Sequence, residues 1–311
     1  MHKPTICRRS FLCVSGAFAL SPWAARAEER KSTVAEIRSP ALLNNGVPSF
    51  EHIRTAISLG VRELAGTGKA ADAWRSLFSP TDTIGIKFNH VAGKELHGNA
   101  EIARALVSEL VDGGISAKQI LIIEGEHIRG TTRANPEADP ARFDACGKRL
   151  WFRKYMTQQI TALINVPLLK HHAIAGVSLG LKNLSHGTIW NPSHFHRDHC
   201  DPAIGSIVSL PPLRDKLRLT LCNALFGLAD EGPYAVNEKL MWKPSAILMS
   251  RDVVALDTVG LGILRARRRP MGLPTLEEAD QPPKHIATAA RIGLGIADPA
   301  GIQIKRLGIP T

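Results

Sequence analysis

An apolar run, a helix-period segment and a second apolar run follow one another between residues 83 and 124. This order restricts the fold more than any other feature of the chain. Thr83-Ile84-Gly85-Ile86-Lys87-Phe88 reads as a buried strand. In the next segment Ile102, Leu106 and Leu110 recur every four positions before Gly113-Gly114, the pattern of an amphipathic helix with a glycine stop. Gln119-Ile120-Leu121-Ile122-Ile123-Glu124 is the following strand. Strand, helix and strand in that order form a crossover unit, which places the two strands parallel in one sheet. Residues 33–38, 164–166, 218–223 and 245–250 read as further strands, and 50–64, 253–265 and 283–292 as helices. Asp252 is placed to cap the helix at 253. The expected fold class is α/β: a mainly parallel sheet with helices on both faces, built as one compact unit or as two lobes. The irregular segment 134–158, with Asn135-Pro136 and Asp139-Pro140 as turn signals, is where a lobe boundary or an inserted lid falls.

The chemistry concentrates in residues 164–187, INVPLLKHHAIAGVSLGLKNLSHG. A buried strand runs into Pro167. Lys170, His171 and His172 follow, then the small residues Gly176, Ser178 and Gly180, then Lys182 beside Asn183. Basic groups at the carboxyl end of a strand, followed by a turn of small residues, suit a ligand site in an open α/β sheet. Lys170 and His172 are two apart, so in extended backbone they point to one side. Lys87 and Asn89 close another strand in the same way, and His127 follows a third. The expectation is one cavity that joins Lys170, His172, Lys182 and His127, with Lys87, Asn89 and Asn183 as binding groups. Glu126 and Asp230 are the internal carboxylates available to balance the lysines.

A second cluster is denser still. His186, His194, His196, Asp198, His199, Cys200 and Asp201 fall within sixteen residues. Imidazole, carboxylate and thiolate together suit a transition metal, and His194, His196 and His199 are the expected ligands. The spacing matches no fixed zinc motif, so a polar loop of exposed histidines is the competing reading.

The formal net charge is +11. No basic tract is interleaved with aromatics and no nucleic-acid motif appears, so the excess charge points to a small anionic ligand and away from nucleic acid. Residues 1–27 carry Arg8-Arg9-Ser10-Phe11-Leu12, a modest apolar run, and Ala25-Arg26-Ala27 before Glu28. This reads as a twin-arginine signal peptide, which implies the twin-arginine export machinery as a partner and the periplasm as destination. The apolar run is too short for a stable membrane anchor. Residues 28–311 then form the mature domain. Of its cysteines, Cys146, Cys200 and Cys222 are widely spaced with no C-x-x-C pair, so the chain supplies no iron–sulfur cluster.

Several segments together resemble the exported members of the domain-of-unknown-function family 362. They are Ile86-Lys87-Phe88-Asn89, Asn165-Val166-Pro167-Leu168-Leu169-Lys170-His171-His172, and Gly176-Val177-Ser178-Leu179-Gly180-Leu181-Lys182-Asn183. Asp230-Glu231-Gly232-Pro233 and Ser250-Arg251-Asp252-Val253-Val254-Ala255-Leu256-Asp257 continue the pattern. Phe88 stands where the family usually has proline, and the ferredoxin insert of many relatives is absent. A more distant resemblance is to the nickel-pincer lactate racemase family. His172 lies ten residues before Lys182 across Ala175-Gly176-Val177-Ser178-Leu179-Gly180-Leu181-Lys182, and Gly125-Glu126-His127-Ile128-Arg129 is similar to that family's G-x-H-R element. The resemblance implies His127 and His172 as paired proton-transfer bases, Lys182 as the cofactor-holding residue, and His199 or His196 as a nickel ligand. The racemase D-H-T-R-P element is replaced here by Lys87-Phe88-Asn89-His90.

Two functional expectations follow. The first is a periplasmic enzyme acting on a small anionic substrate through His127, His172 and Lys182, by proton-transfer or redox chemistry, with a transition metal such as nickel, zinc or iron. The second is a non-enzymatic periplasmic binder of a metal or an anion.

Overall fold

The computed structural model describes residues 31–309, so the twin-arginine signature at Arg8 and Arg9 lies outside the described residues. Eleven strands make one sheet. In chain order they are β1 (Ser32–Arg38), β2 (Ile84–Phe88), β3 (Ile120–Ile123), β4 (Thr132–Arg133), β5 (Ala162–Val166) and β6 (Leu168–His172). Then come β7 (Gly176–Ser178), β8 (Leu217–Leu228), β9 (Met241–Trp242), β10 (Ala246–Ser250) and β11 (Ile302–Leu307). Across the sheet the order is β11-β1-β10-β8-β5-β2-β3-β4, with β6 and β9 on the long far end of β8 and β7 on β6.

The crossover expected between residues 83 and 124 is present: β2 and β3 pair in parallel, with Ile84 opposite Ile120 and Ile86 opposite Ile122. β5 joins β2 and β8 in parallel, which makes this half of the sheet wholly parallel. β10 runs antiparallel to both β1 and β8. The sheet is therefore mostly parallel: β10 is reversed within the main order, and the short β7 and β9 run antiparallel to β6 and β8.

Helices cover both faces. On one lie α1 (Phe50–Ala65), α2 (Ala70–Leu77) and α3 (Asn99–Asp112). Ile53 and Ile57 of α1 and Ile102 and Leu106 of α3 pack there with Ile84, Ile86, Ile120, Ile122 and Ile164. On the other lie α4 (Gly180–Gly187), α5 (Ala203–Val208), α6 (Val253–Arg268) and α7 (Lys284–Arg291), against Leu121, Ile123, Leu163 and Leu248. Successive strand residues enter opposite cores, as a side-chain period of two requires. Each buried Leu or Ile contributes about 1.5–3 kcal/mol relative to exposure, which explains how a core with few aromatics holds.

Asp252 caps α6 as expected, accepting from the Val254 and Ala255 amides. Residues 134–158 supply a hairpin of Phe143–Ala145 and Lys148–Leu150 and a wide helical turn at Tyr155–Gln159. Two differences from the sequence reading matter for the site. The basic segment after Pro167 is a strand, β6, and the small-residue stretch is β7 followed by the helix α4. Gly176 sits at φ 73°, where a β-carbon would run into the Gln281 carbonyl oxygen, so this turn admits only glycine. No helix among the described residues is long and apolar enough to cross a membrane.

Candidate functional site

The site is built on β6 and α4. Alternation along β6 sends Lys170 and His172 to one side and His171 to the other. The partners agree. His171 is a structural residue: Nδ1 accepts from the Gly232 amide at 3.0 Å, and Nε2 faces Gln281 at 2.6 Å and Asp230 at 3.3 Å. Asp230 also pairs with Arg268 at 3.2 Å. The sequence offers Asp230 as a counter-charge for the lysines, but it is instead spent on His171 and Arg268.

α4 has few strong helix formers, and its start is held from a distance. The Asp257 carboxylate, on α6, accepts from the Gly180 amide at 2.7 Å and the Leu181 amide at 2.9 Å. Burial pushes the Asp257 carboxyl up to about 7, although both amides favour its charged form. Farther along, Asn183 donates to Asn165 Oδ1 at 2.7 Å, and Asn165 donates to the Gly180 carbonyl at 3.1 Å. These contacts fix the direction of Lys182, Asn183 and His186.

Lys87 proves to be fully partnered. Its three ammonium protons have three acceptors: the Phe88 carbonyl at 2.7 Å, Glu124 at 2.8 Å and Asn183 Oδ1 at 3.2 Å. Burial pushes the Glu124 carboxyl up, but the Lys87 charge and hydrogen bonds from His90 and Lys87 outweigh it and hold the pKa at about 2. Asn183 is thereby a bridge between Lys87 and Asn165. Asn89 is buried as well, with Nδ2 3.5 Å from Ser178 Oγ and Oδ1 accepting from the Val91 amide.

Lys170 and Lys182 differ. Lys170 is fully buried and donates to the carbonyls of Val91 at 2.6 Å and Pro233 at 3.0 Å. Lys182 is 6% exposed, and its Nζ lies 3.3 Å from His196 Nε2. Neither has a carboxylate within ion-pair distance among the described residues. Burial, and for Lys170 also the nearby Lys182 charge, lowers their pKa values to about 7 and about 8 respectively. His172 stands beside them. Its Nδ1 accepts from the Ile174 amide at 3.1 Å and the Ala175 amide at 3.3 Å, so the ring proton of the neutral form is on Nε2. Burial, then the charges of Lys182 and His196, take its pKa down to about 2, and the ring is neutral at every ordinary pH.

The metal-ligating group differs from the one expected. His186, His196 and Cys200 bring their donor atoms within 4.8 Å of one another and could hold a metal ion. One nitrogen of each ring is anchored on backbone: His186 Nε2 on the Phe195 carbonyl at 3.2 Å and His196 Nδ1 on the Pro192 carbonyl at 3.1 Å, while His186 Nδ1 faces the Ser185 hydroxyl at 2.9 Å, a contact that a metal would replace. Such anchoring fixes the tautomer of a metal-bound imidazole. His194 is exposed, near Asn191, and His199 faces the Ile174 carbonyl and Asp280, so neither belongs to this group. His194 and His196 lie on a 3-10 turn, Pro192–Phe195, and its cap; the strand-like alternation does not apply to them. Cys146, Cys200 and Cys222 are all free thiols.

His127 is exposed in the loop after β3, where Thr131 is its hydrogen-bonding neighbour at 3.4 Å. No hydrogen bond or ion pair among the described residues joins His127 to Lys170, His172 or Lys182, and Glu126 is exposed as well. The geometry thus gathers Lys170, His172, Lys182, His186, His196 and Cys200. This is a buried, positively biased cluster with three potential metal donors and hydrogen-bond donors free for an anion.

No curated protein matches the chain. The family comparison covers β5 to β10, α4, α5 and most of α6, and with them every residue of this cluster. Residues 142–262 match the family described as Domain of unknown function (DUF362).

Proposed function

We infer that the protein is a periplasmic enzyme acting on a small anionic substrate, with Lys170, His172 and Lys182 as the groups that hold and polarise it. One observation carries the reading: two buried lysines lie together, and among the described residues neither has a carboxylate within ion-pair distance. An ammonium group withdrawn from water costs several kcal/mol unless a counter-charge returns it or the proton leaves, and the lowered pKa values of both lysines express that cost. A bound carboxylate or phosphate supplies that charge. A neutral imidazole whose proton is on Nε2 donates a hydrogen bond to an oxyanion and polarises it, which is a different role from abstracting a proton. Lys170, with two of its protons engaged, is the better candidate to exchange a proton with substrate. This reading does not use the His127–His172 pair that the racemase resemblance implies. A transition metal such as nickel, zinc or iron, held by His186, His196 and Cys200, would sit beside the anion. Export follows from Arg8 and Arg9, and replacing both by lysine should leave the chain in the cytoplasm. Periplasmic accumulation of that double variant would remove the twin-arginine route from the proposal.

The enzymatic claim is tested by incubating the protein with small hydroxy, oxo and phosphorylated acids in deuterated water, with and without an electron acceptor, under proton NMR. Deuterium exchange or conversion of at least one acid, abolished in Lys182→Met, is the expected result. The full burial of Lys170 favours the second reading, a binder of an anion or a metal without turnover. Saturable binding with no exchange or conversion would select it.

A further inference from the structure

The surface beside the 143–150 hairpin carries an arrangement that the Lys/His cluster does not use. Lys148-Arg149-Leu150-Trp151-Phe152-Arg153-Lys154 is a short basic stretch with two aromatics in it, which corrects the expectation that no such tract occurs. It runs antiparallel to the segment after α4. Phe152 stands opposite Ile189, the Trp190 amide donates to the Trp151 carbonyl at 2.8 Å, and the Arg153 amide donates to the Thr188 carbonyl at 2.9 Å. Phe152 and Ile189 are fully buried, so alternation turns Trp151 and Trp190 outward, opposite each other on one face. Trp190 is 53% exposed, and the Arg153 guanidinium lies 5.2 Å from its ring centre.

Two hollows meet at Trp151. One, of about 620 Å³, has Trp151 and Trp190 among its walls. Its charged groups are already engaged: Lys154 pairs with Glu137 at 2.7 Å, and Asp139 accepts from Thr157 at 2.6 Å and Gln158 at 2.7 Å. The other, of about 650 Å³, is lined by Lys148, Arg149, Arg197, His194, Ser193 and Trp151, with no acidic side chain. Lys148 donates to the His194 carbonyl at 2.9 Å. Arg149 stands opposite Asp144 on the hairpin, but Asp144 pairs with Arg142 at 3.1 Å. Neither Arg149 nor Arg197 has an ion-pair partner among the described residues. Hollows of this size suit small ligands.

We propose that the two hollows form one groove for a short acidic oligosaccharide, with an anionic sugar on Arg149 and Arg197 and a neutral sugar against Trp151 and Trp190. An indole offers a flat apolar face to the C–H face of a sugar ring, and its N–H stays available for a hydroxyl. A guanidinium fork holds a carboxylate through two parallel hydrogen bonds. Single-stranded nucleic acid also stacks on aromatics in a basic groove. It carries a phosphate at every unit, however, and needs cations along its whole track. Here the unpartnered cations stand on one side of Trp151 and the indole pair on the other, which fits a ligand charged at one end. Lys170, His172 and Lys182 line neither hollow, so the proposal does not depend on the anion site described above.

The test is isothermal titration of the full chain with hyaluronan tetrasaccharide, in which glucuronate alternates with a neutral sugar. Chitotetraose serves as the uncharged control and a hexamer of deoxythymidylate as the nucleic-acid control. One tetrasaccharide per chain should bind, more weakly as salt is added, with a change in tryptophan fluorescence. Arg149→Gln combined with Arg197→Gln should weaken binding about tenfold or more, since charge-assisted hydrogen bonds are lost. Trp190→Ala should weaken it about fivefold. All three side chains are exposed, and urea unfolding at the wild-type midpoint checks that the variants fold. Chitotetraose should bind about tenfold more weakly than the hyaluronan fragment. No binding of the hyaluronan fragment, or binding that survives both variants, would overturn the proposal. Equal binding of chitotetraose would remove the anionic sugar from it. Tighter binding of the deoxythymidylate hexamer, lost in the same variants, would replace the saccharide with nucleic acid.

Discussion

Lys87 and Lys182 are both nearly inaccessible, and Asn183, the neighbour of one, is a partner of the other. Their surroundings are opposite. Lys87 has a carboxylate, a carbonyl and an amide oxygen for its three protons, whereas Lys182 has a histidine nitrogen at 3.3 Å and, among the described residues, no carboxylate within ion-pair distance. The first is a closed arrangement with nothing left to offer a ligand. The second is open on the side of charge. A buried lysine in this fold is thus structural or functional according to whether a second strand delivers a carboxylate to it, and residue type alone does not decide which.

The largest effect expected from this contrast is on stability. Glu124→Ala leaves the Lys87 charge buried with only neutral acceptors and should cost about 3 kcal/mol in urea unfolding, the range seen when one partner of a buried pair is removed. Adding Lys87→Met should recover much of that loss. A fully stable Glu124→Ala variant would mean that Lys87 does not depend on its partner, and the contrast would collapse.

An acid titration sharpens the same point. The Glu124 pKa is depressed in the folded chain, from 4.5 to about 2. Its contribution is therefore complete above pH 4.5 and is lost as pH falls toward 2, by up to about 3 kcal/mol. The wild type should lose stability across that window more steeply than Glu124→Gln. Parallel curves would place the acid sensitivity elsewhere.

Next in size is the support of α4. Asp257→Ala strands the Gly180 and Leu181 amides and should cost about 2 kcal/mol, with Asp257→Asn costing less because its side-chain oxygen still accepts. If both variants unfold at the wild-type urea concentration, α4 does not rely on this cap.

The smallest effect is expected at the open lysine. In metal-free buffer Lys182→Met strands no carboxylate, so stability should change by less than about 1 kcal/mol in either direction. A loss as large as that of Glu124→Ala would show that Lys182 is held structurally, by a partner of equal weight.

These contrasts mark where the sequence is readable. The crossover of β2, α3 and β3 is legible because Ile84, Ile86 and Ile120 to Ile123 report burial directly, and because Ile102, Leu106 and Leu110 carry the helical period. α4 is not legible, since Gly180, Asn183 and Ser185 are weak helix formers and its cap, Asp257, comes from 77 residues away. β6 reads as a loop because Lys170, His171 and His172 are polar, and a site overrides the usual burial pattern. Lys170, His172, Lys182 and His196 are visible as residue types in a dense cluster. Glu124 is missed because the left-handed backbone there, φ 54°, turns it back toward Lys87 at the end of a strand. His194 and His199 are spaced like ligands, yet a 3-10 turn and a left-handed φ of 55° at His199 point the segment otherwise.

The claim that Lys170, His172 and Lys182 form an anion site is met most directly by isothermal titration of the metal-free protein with a panel of small carboxylates and phosphates. The expected result is saturable binding of one anion per chain in the wild type and in His127→Ala, lost in Lys182→Met and Lys170→Met. No binding by the wild type, or binding that survives both lysine substitutions, would contradict it.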